Sequence, residues 1–465
     1  MKRLALIIII ILAAGRIYSA DTLHVSDAAL FLSKYVAIPS VSGTEEIAAN
    51  WFAEEFIKRD FYVEFITNSP GSVNFVASLY PLSFGKPNIV FLNHMDVVEA
   101  GDPAKWKYPP YGGVIAEDKV WGRGSFDNKG LGVIQMFAVS HFLDLAAGQD
   151  LDYNVSVLCV SGEETGGKKG SAIVAKEYID KLNPVVVIGE GGSGMEKLSF
   201  IGKDEPIFGI SIAEKGCMVV KLSWSNTDVG HASIICQPYA NLIMINTLYK
   251  LLNAQFPAIM TKEAALMFSS LGKEVGGVKG RVMEKPHSKL FQRAIKKEAK
   301  ESPELNELLS NKITLTDIVS EKSSYNQVTQ EVSAILDCRL LPGQDYEDIL
   351  EFIRINTMDS LMTVSVIERG VAPLSTDPEY FFDLIAESLK KEFGASTVVP
   401  MLLPASTDNS YFRTVGIPTY GINPMIVSAG QLAAIHNYDE FIKLEDIDRG
   451  INTFVDFLKK VLDVY

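Results

Sequence analysis

Two hydrophobic rhythms alternate along the chain. Ser26-Asp27 can cap a helix that carries Leu30, Phe31, Lys34 and Tyr35 at helical offsets. A second amphipathic helix is expected over 45–59, with Ile47, Trp51, Phe52 and Phe56 on one face. Strands follow at 62–66 and 73–79. The segments 88–92, 153–160 and 184–188 are apolar on both faces, as central parallel strands are. Helical patterns at 129–145 and 168–181 separate them, so the run is βαβ-like. The loop 99–120, which holds Trp106, Tyr108 and Tyr111, interrupts it, and long loops inside compact domains are often functional.

The pattern changes after Pro206. Strands are expected at 208–213 and 218–224, around a Glu214-Lys215-Gly216 turn, followed by a helix at 239–252. A polar, helix-rich block covers 261–309, and strands at 312–319, 332–340 and 362–368 enclose a helix at 345–355. This predicts an α+β domain, 207–370, inserted into an α/β domain formed by 21–206 and 371–465. The second part of the α/β domain has a helix at 381–393, strands at 398–402 and 417–421, and a last helix at 445–464.

Residues 1–20 stand outside this scheme. Lys2 and Arg3 precede the apolar run Leu4–Ala14, which is shorter than the roughly 20 residues a bilayer requires. It has the form of a signal peptide, so export to a periplasmic or extracellular setting is expected; an uncleaved anchor is the alternative. With 47% apolar and 22% charged residues the rest is globular, and a net charge of −14 speaks against nucleic acid as a partner. No stable membrane span is expected once the signal is removed. The four cysteines show no C-x-x-C spacing, and Cys159, Cys217 and Cys338 lie in apolar runs as buried free thiols would. Neither a thiolate metal site nor a cysteine nucleophile is supported.

Chemistry-bearing residues cluster just after the apolar strands, the edge at which open α/β sheets bind ligands. His94 and Asp96 close one strand; at i and i+2 of an extended segment they share a face, so Asp96 can orient the ring of a ligating His94. Glu163-Glu164 closes another. Adjacent carboxylates repel unless a cation is near, and their divergent directions allow one to be a ligand and the other a base. Glu190, between glycines, closes a third. Asp127 sits in the glycine-broken stretch 121–130, and His436 in a late loop.

Taken as a set, His94-x-Asp96, Gly122-Arg123-Gly124-x-x-Asp127-x-Lys129-Gly130, Glu163-Glu164, Glu190-Gly191 and His436 resemble the M20 family of metallopeptidases and amidohydrolases. The long inserted domain is similar to that of its carboxypeptidase S and N-acyl amino acid hydrolase branch. The resemblance implies a zinc-exopeptidase-like catalytic domain, with a mixed sheet flanked by helices, and an inserted ferredoxin-like lid or dimerisation domain. It implies two Zn²⁺ ions, replaceable by Co²⁺ or Mn²⁺, with Asp127 as the shared ligand. His94 and Glu190 then complete one site, and Glu164 and His436 the other. Glu163 becomes the general base, Asp96 the support of His94, and a cis peptide is expected at Asp127-Asn128. His231, in Gly230-His231-Ala232-Ser233, matches the family's oxyanion donor, its alternative being a surface histidine. Asn326 and Thr407 match substrate-binding positions. Arg339 is either a substrate-carboxylate clamp or the partner of Asp337. The implied reaction is hydrolysis of an amide bond in a short peptide or N-acyl amino acid with a free carboxylate, by a homodimer or a monomer. An inactive binding protein on the same fold is the alternative.

Overall fold

A computed structural model describes residues 25–195, 206–225, 233, 239–320, 326–357, 361–395 and 397–464. In chain order the strands are β1 (Tyr62–Ser69), β2 (Ser72–Ser78), β3 (Asn88–His94), β4 (Val114–Ala116), β5 (Lys119–Trp121), β6 (Asn154–Val160), β7 (Pro184–Met195) and β8 (Ile207–Glu214). They continue as β9 (Gly216–Ser225), β10 (Lys312–Ser320), β11 (Glu331–Leu340), β12 (Met362–Arg369), β13 (Thr397–Leu403), β14 (Thr419–Ile426) and β15 (Phe441–Lys443). Eight of them form one mixed sheet in the order β1-β2-β6-β3-β7-β14-β8-β13. Every residue of β3 and β6 is buried, as their two-faced apolar sequences require.

Helices cover both faces of this sheet. Asp27–Val36, Glu46–Ile57, Lys129–Ser140 and Leu444–Val461 share one continuous core with it, in which Tyr35 stacks on Phe52 at 4.6 Å and Phe91 meets Phe454 at 4.8 Å. The apolar stripes of the first two helices are narrower than expected. Leu30 is 46% and Ile47 73% exposed, because Ala28, Ala29, Leu32 and Ala48, Ala49 supply close contacts on the inner faces. Lys129 is fully buried: its Nζ donates to the carbonyls of Tyr35 (3.1 Å) and Ile38 (2.6 Å), tying the end of the first helix to the Asp127 segment.

A second, fully antiparallel sheet, ordered β10-β11-β9-β12, is backed by the helices Ala240–Asn253 and Tyr346–Asn356. Here the structure redraws the expected grouping. Residues 207–214, grouped by sequence with the insert, are β8 of the large sheet. The helices at 262–309 also leave the small sheet. Ala264, Met267, Phe268 and Leu271 recur at helical spacing and, with Phe291 and Leu309, form a core with Ile207 and Val399. They cover β13, the edge strand of the large sheet. The block reads as apolar-poor because it buries only this narrow stripe. Among the described cysteines all are free, Cys159 and Cys338 being buried and Cys217 half-buried.

Candidate metal centre

Parallel pairing brings three strand ends to one level. β3 lies between β6 and β7, with His94 opposite Val160 and Phe91 opposite Ile188. Hence His94, the Glu163-Glu164 turn and Glu190 emerge side by side at the same sheet edge. His94 Nδ1 lies 3.0 Å from the carbonyl of Asp96, which leaves Nε2 facing the site. There it is 3.1 Å from Asp127 Oδ1 and 3.7 Å from Glu190 Oε2. On the other side His436 Nε2 is 3.3 Å from Asp127 Oδ2 and 3.0 Å from Glu164 Oε2. The two oxygens of Asp127 therefore face two different imidazoles. Asp96, fully buried, also accepts from the backbone N–H groups of Glu163 (3.1 Å) and Glu164 (3.2 Å) and from Ser42 Oγ (2.6 Å). It thus joins two strand ends as well as orienting His94.

The Asp127 segment is held by a residue that sequence reading missed. Glu440 is 1% exposed and accepts from Arg123 Nη1 (2.6 Å) and the N–H groups of Gly124 (3.0 Å), Phe126 (2.9 Å) and Asp127 (3.0 Å). Arg123 Nη2 reaches back to the carbonyl of Asn437 at 2.9 Å, so the same ion pair clasps the loop that presents His436. The Asp127-Asn128 peptide is cis, as expected.

The charge balance of the cluster calls for a cation. Burial pushes the Glu163, Glu164 and Glu190 carboxyls up; neighbouring carboxylates add to it, Glu190, Asp408 and Glu164 at Glu163, and Asp127 at the other two. Asp408, buried nearby, is pushed up to about 8 by burial. Contact with Asp127 and then Glu164 raises His436 to about 10. Asp127 is held well below its ordinary range, its two histidines outweighing burial. Glu164 Oε1 is buried and accepts no hydrogen bond. An excess of carboxylates around two imidazoles, with a buried oxygen unclaimed, fits divalent cations on N/O ligands. His94, Asp127 and Glu164 offer ligand atoms within 4.8 Å of one another, and so do His94, Glu163 and Glu190.

Residues 90–460 match the model of peptidase family M20/M25/M40. The chain belongs to that family. It is 25% identical to a probable carboxypeptidase S-like 2 of Dictyostelium discoideum, over 97% of this chain and 88% of that protein. It is 22% identical to the N-fatty-acyl-amino acid synthase/hydrolase PM20D1 of Mus musculus, over 92% of this chain and 86% of that one. Its fold matches an M20 family metallo-carboxypeptidase from Sulfolobus solfataricus with a TM-score of 0.68, at 21% identity, covering 93% of this chain and 99% of that chain. As an M20 member it is a metallopeptidase or amidohydrolase of peptides or N-acyl amino acids.

In this M20 chain a cavity of about 560 Å³ opens beside the candidate metal-ligand cluster. Glu163, Glu164, Asp408 and His436 line it from the large sheet, and Cys217, Arg339 and Glu368 from the small one. Arg339 is engaged with Asp337 through Nε (2.8 Å) and Nη2 (3.1 Å). Thr407 lines the cavity, but its hydroxyl donates to Glu214 Oε1 (2.8 Å) and its N–H to Glu214 Oε2 (2.7 Å). Asn326 lies in an exposed turn and is not among the residues lining the cavity. His231 falls outside the described residues. Trp106, Tyr108 and Tyr111 do not line the cavity; Trp106 packs under the Arg123 guanidinium, 5.2 Å from its ring centre.

Glu214, read from sequence as part of a turn, is the second missed anchor. It is 2% exposed, pairs with Arg413 at 2.9 Å and holds Thr407 and Asn409, whose Nδ2 also donates to the Glu190 carbonyl at 2.7 Å. A signal existed: Glu214 follows an apolar strand just as Glu163 and Glu190 do. No comparable signal marked Glu440, which precedes only the three-residue β15.

Proposed function

We propose that this chain hydrolyses the amide bond of a short peptide or N-acyl amino acid bearing a free carboxylate, with two divalent cations. Zn²⁺ suits the ligands, with Co²⁺ or Mn²⁺ as substitutes. The observation that carries this reading is Asp127, whose Oδ1 and Oδ2 lie 3.1 and 3.3 Å from two separate histidines. A carboxylate so shared suits a ligand common to two cations, with His94 and Glu190 serving one, and Glu164 and His436 the other. When bound, such a pair supplies Lewis-acid polarisation of the scissile carbonyl and a water of lowered pKa.

The chain's own groups do the rest. Asp96 fixes the tautomer of His94 through its backbone carbonyl. Glu163, whose carboxyl burial raises, takes a proton from the attacking water and delivers it to the leaving nitrogen, so amide and water become carboxylic acid and amine. Asp337 occupies Nε and Nη2 of Arg339, which leaves Nη1 to donate to a substrate carboxylate. His231 serves as the donor to the tetrahedral oxyanion in this reading. Thr407 shapes the pocket through its loop. The proposal includes export by the segment 1–20 and a homodimer, for which Ile245, Tyr249 and Leu252 support a contact: all three are exposed at helical spacing on Ala240–Asn253.

The test is Glu163→Gln. Its metal content should match wild type while turnover of dipeptides or N-acyl amino acids falls at least about 10²-fold. Unchanged turnover would remove Glu163 as the base, and no turnover by either protein on any such substrate would favour the inactive binding protein. C-terminally amidated substrates should be cleaved more slowly; equal rates would remove Arg339 as the carboxylate clamp.

A further inference from the structure

In a chain of net charge −14, the stretch from Lys273 to Lys300 holds nine lysines and arginines against three acids. The helix Lys289–Glu298 concentrates that charge. Its inner face is Phe291 and Ile295, continued by Ala299. On the opposite side Lys289, Arg293, Lys296 and Lys297 fall within an arc of about 100°, and no acid shares it. All four are exposed, as is Lys300 in the next turn, and none forms an ion pair with a described residue. Leu290 flanks the arc at 68% exposure, and Val278, on the adjoining helix Gly277–Met283, is 72% exposed. Val278 and the exposed Ala294 also line an apolar cavity of about 1090 Å³ walled by Met267, Phe268 and Phe291.

We infer that this face docks the protein onto an anionic lipid bilayer. Lysines and arginines on one arc attract acidic headgroups, exposed aliphatic residues beside them enter the interfacial layer, and the cavity offers apolar space to an acyl chain. The features separate a membrane from a nucleic acid. The arc carries no aromatic side chain for base stacking, and the block's two phenylalanines, Phe268 and Phe291, are buried. Acidic surface elsewhere does not cancel the attraction, because at physiological salt charges beyond about 8 Å are largely screened.

The experiment is co-sedimentation of the full chain with phosphatidylcholine vesicles, with or without about one third phosphatidylglycerol. The apolar run at 4–14 and the Lys2 and Arg3 before it are common to wild type and variants, so the change on substitution reports the charge of the helix. Wild type should bind the anionic vesicles at least about tenfold more tightly and lose that excess in about 0.5 M NaCl. The quadruple variant Lys289→Gln, Arg293→Gln, Lys296→Gln and Lys297→Gln, with an unchanged thermal melt, should lose the excess at low salt. Leu290→Ser should weaken binding without altering its salt dependence. Equal binding of wild type to both vesicles, an excess that survives in the quadruple variant, or tighter binding to duplex DNA than to anionic vesicles at the same salt would each overturn the inference.

Discussion

Removing the Glu440 carboxylate is the perturbation that probes the architecture of the site most severely. Glu440→Ala strips the acceptor from four donors at once: Arg123 Nη1 and the N–H groups of Gly124, Phe126 and Asp127. Arg123, 2% exposed, would keep only two carbonyls and the Trp106 ring as partners for its charge. Breaking a buried ion pair by deleting one member costs about 3–5 kcal/mol. The three orphaned N–H groups would add about 1–3 kcal/mol each if none found water. Because the shortened side chain admits solvent, the ion-pair figure is the working magnitude. Glu440→Gln keeps one acceptor oxygen but points an amide donor at Arg123 or the backbone, so its loss should be smaller, about 2 kcal/mol. Urea denaturation measures the stability, and metal content after dialysis against a weak chelator measures the hold on Asp127. Both variants should lose metal faster than wild type, alanine more than glutamine. Arg123→Met in a double-mutant cycle should show coupling to Glu440 of roughly 1–3 kcal/mol. A loss below about 1 kcal/mol in Glu440→Ala, with wild-type metal retention, would refute the claim that this carboxylate holds the Asp127 segment.

Two further variants test other parts of the account. Thr407→Val removes both the hydroxyl bond to Glu214 and the acceptor of the buried Asn409 N–H, and should cost about 1–3 kcal/mol in urea denaturation while leaving KM nearly unchanged; a large rise in KM with no loss of stability would make the hydroxyl a substrate contact instead. Asp456 links the helices Tyr380–Phe393 and Leu444–Val461: burial raises its carboxyl, but Lys391, Lys460 and Ser388 prevail and hold it at about 2. Since this lies below the unfolded value, its stabilisation is present above about pH 4 and is lost as pH falls through about 2. After allowance for solvent screening of the lysines, Asp456→Asn should cost about 1 kcal/mol at pH 6 and only a small fraction of that near pH 2; an equal cost at both would show that the pairing carries no charge-dependent stability.

What the sequence made legible follows from how local each signal is. The two-faced apolar runs of β3 and β6 announced buried central strands, and the acids and histidine just beyond them marked the sheet edge where they do converge. Asp127 and His436 were legible through their spacing as a motif set. Glu440 was not, because its role is to receive hydrogen bonds from residues more than three hundred positions away, and an acid in a loop looks the same whether solvated or buried. Thr407 shows a related limit: sequence reading placed it at a substrate-binding position, and its loop does line the cavity, but nothing local announced that its hydroxyl donates to Glu214. The helices at 262–309 were recognisable as helices, yet contiguity assigned them to the small sheet. Their stripe at Ala264, Met267, Phe268 and Leu271 is complementary to β13, a partner that lies about 130 residues further along the chain.

The central claim is that one carboxylate, Asp127, is common to two cation sites, and counting bound metal tests it most directly. Protein reconstituted with Zn²⁺, freed of excess ion and analysed by mass spectrometry should carry about two equivalents per chain. His436→Ala should retain about one, and Asp127→Ala close to none. A wild-type content near one equivalent, or an Asp127→Ala protein that keeps as much zinc as His436→Ala, would contradict a shared ligand.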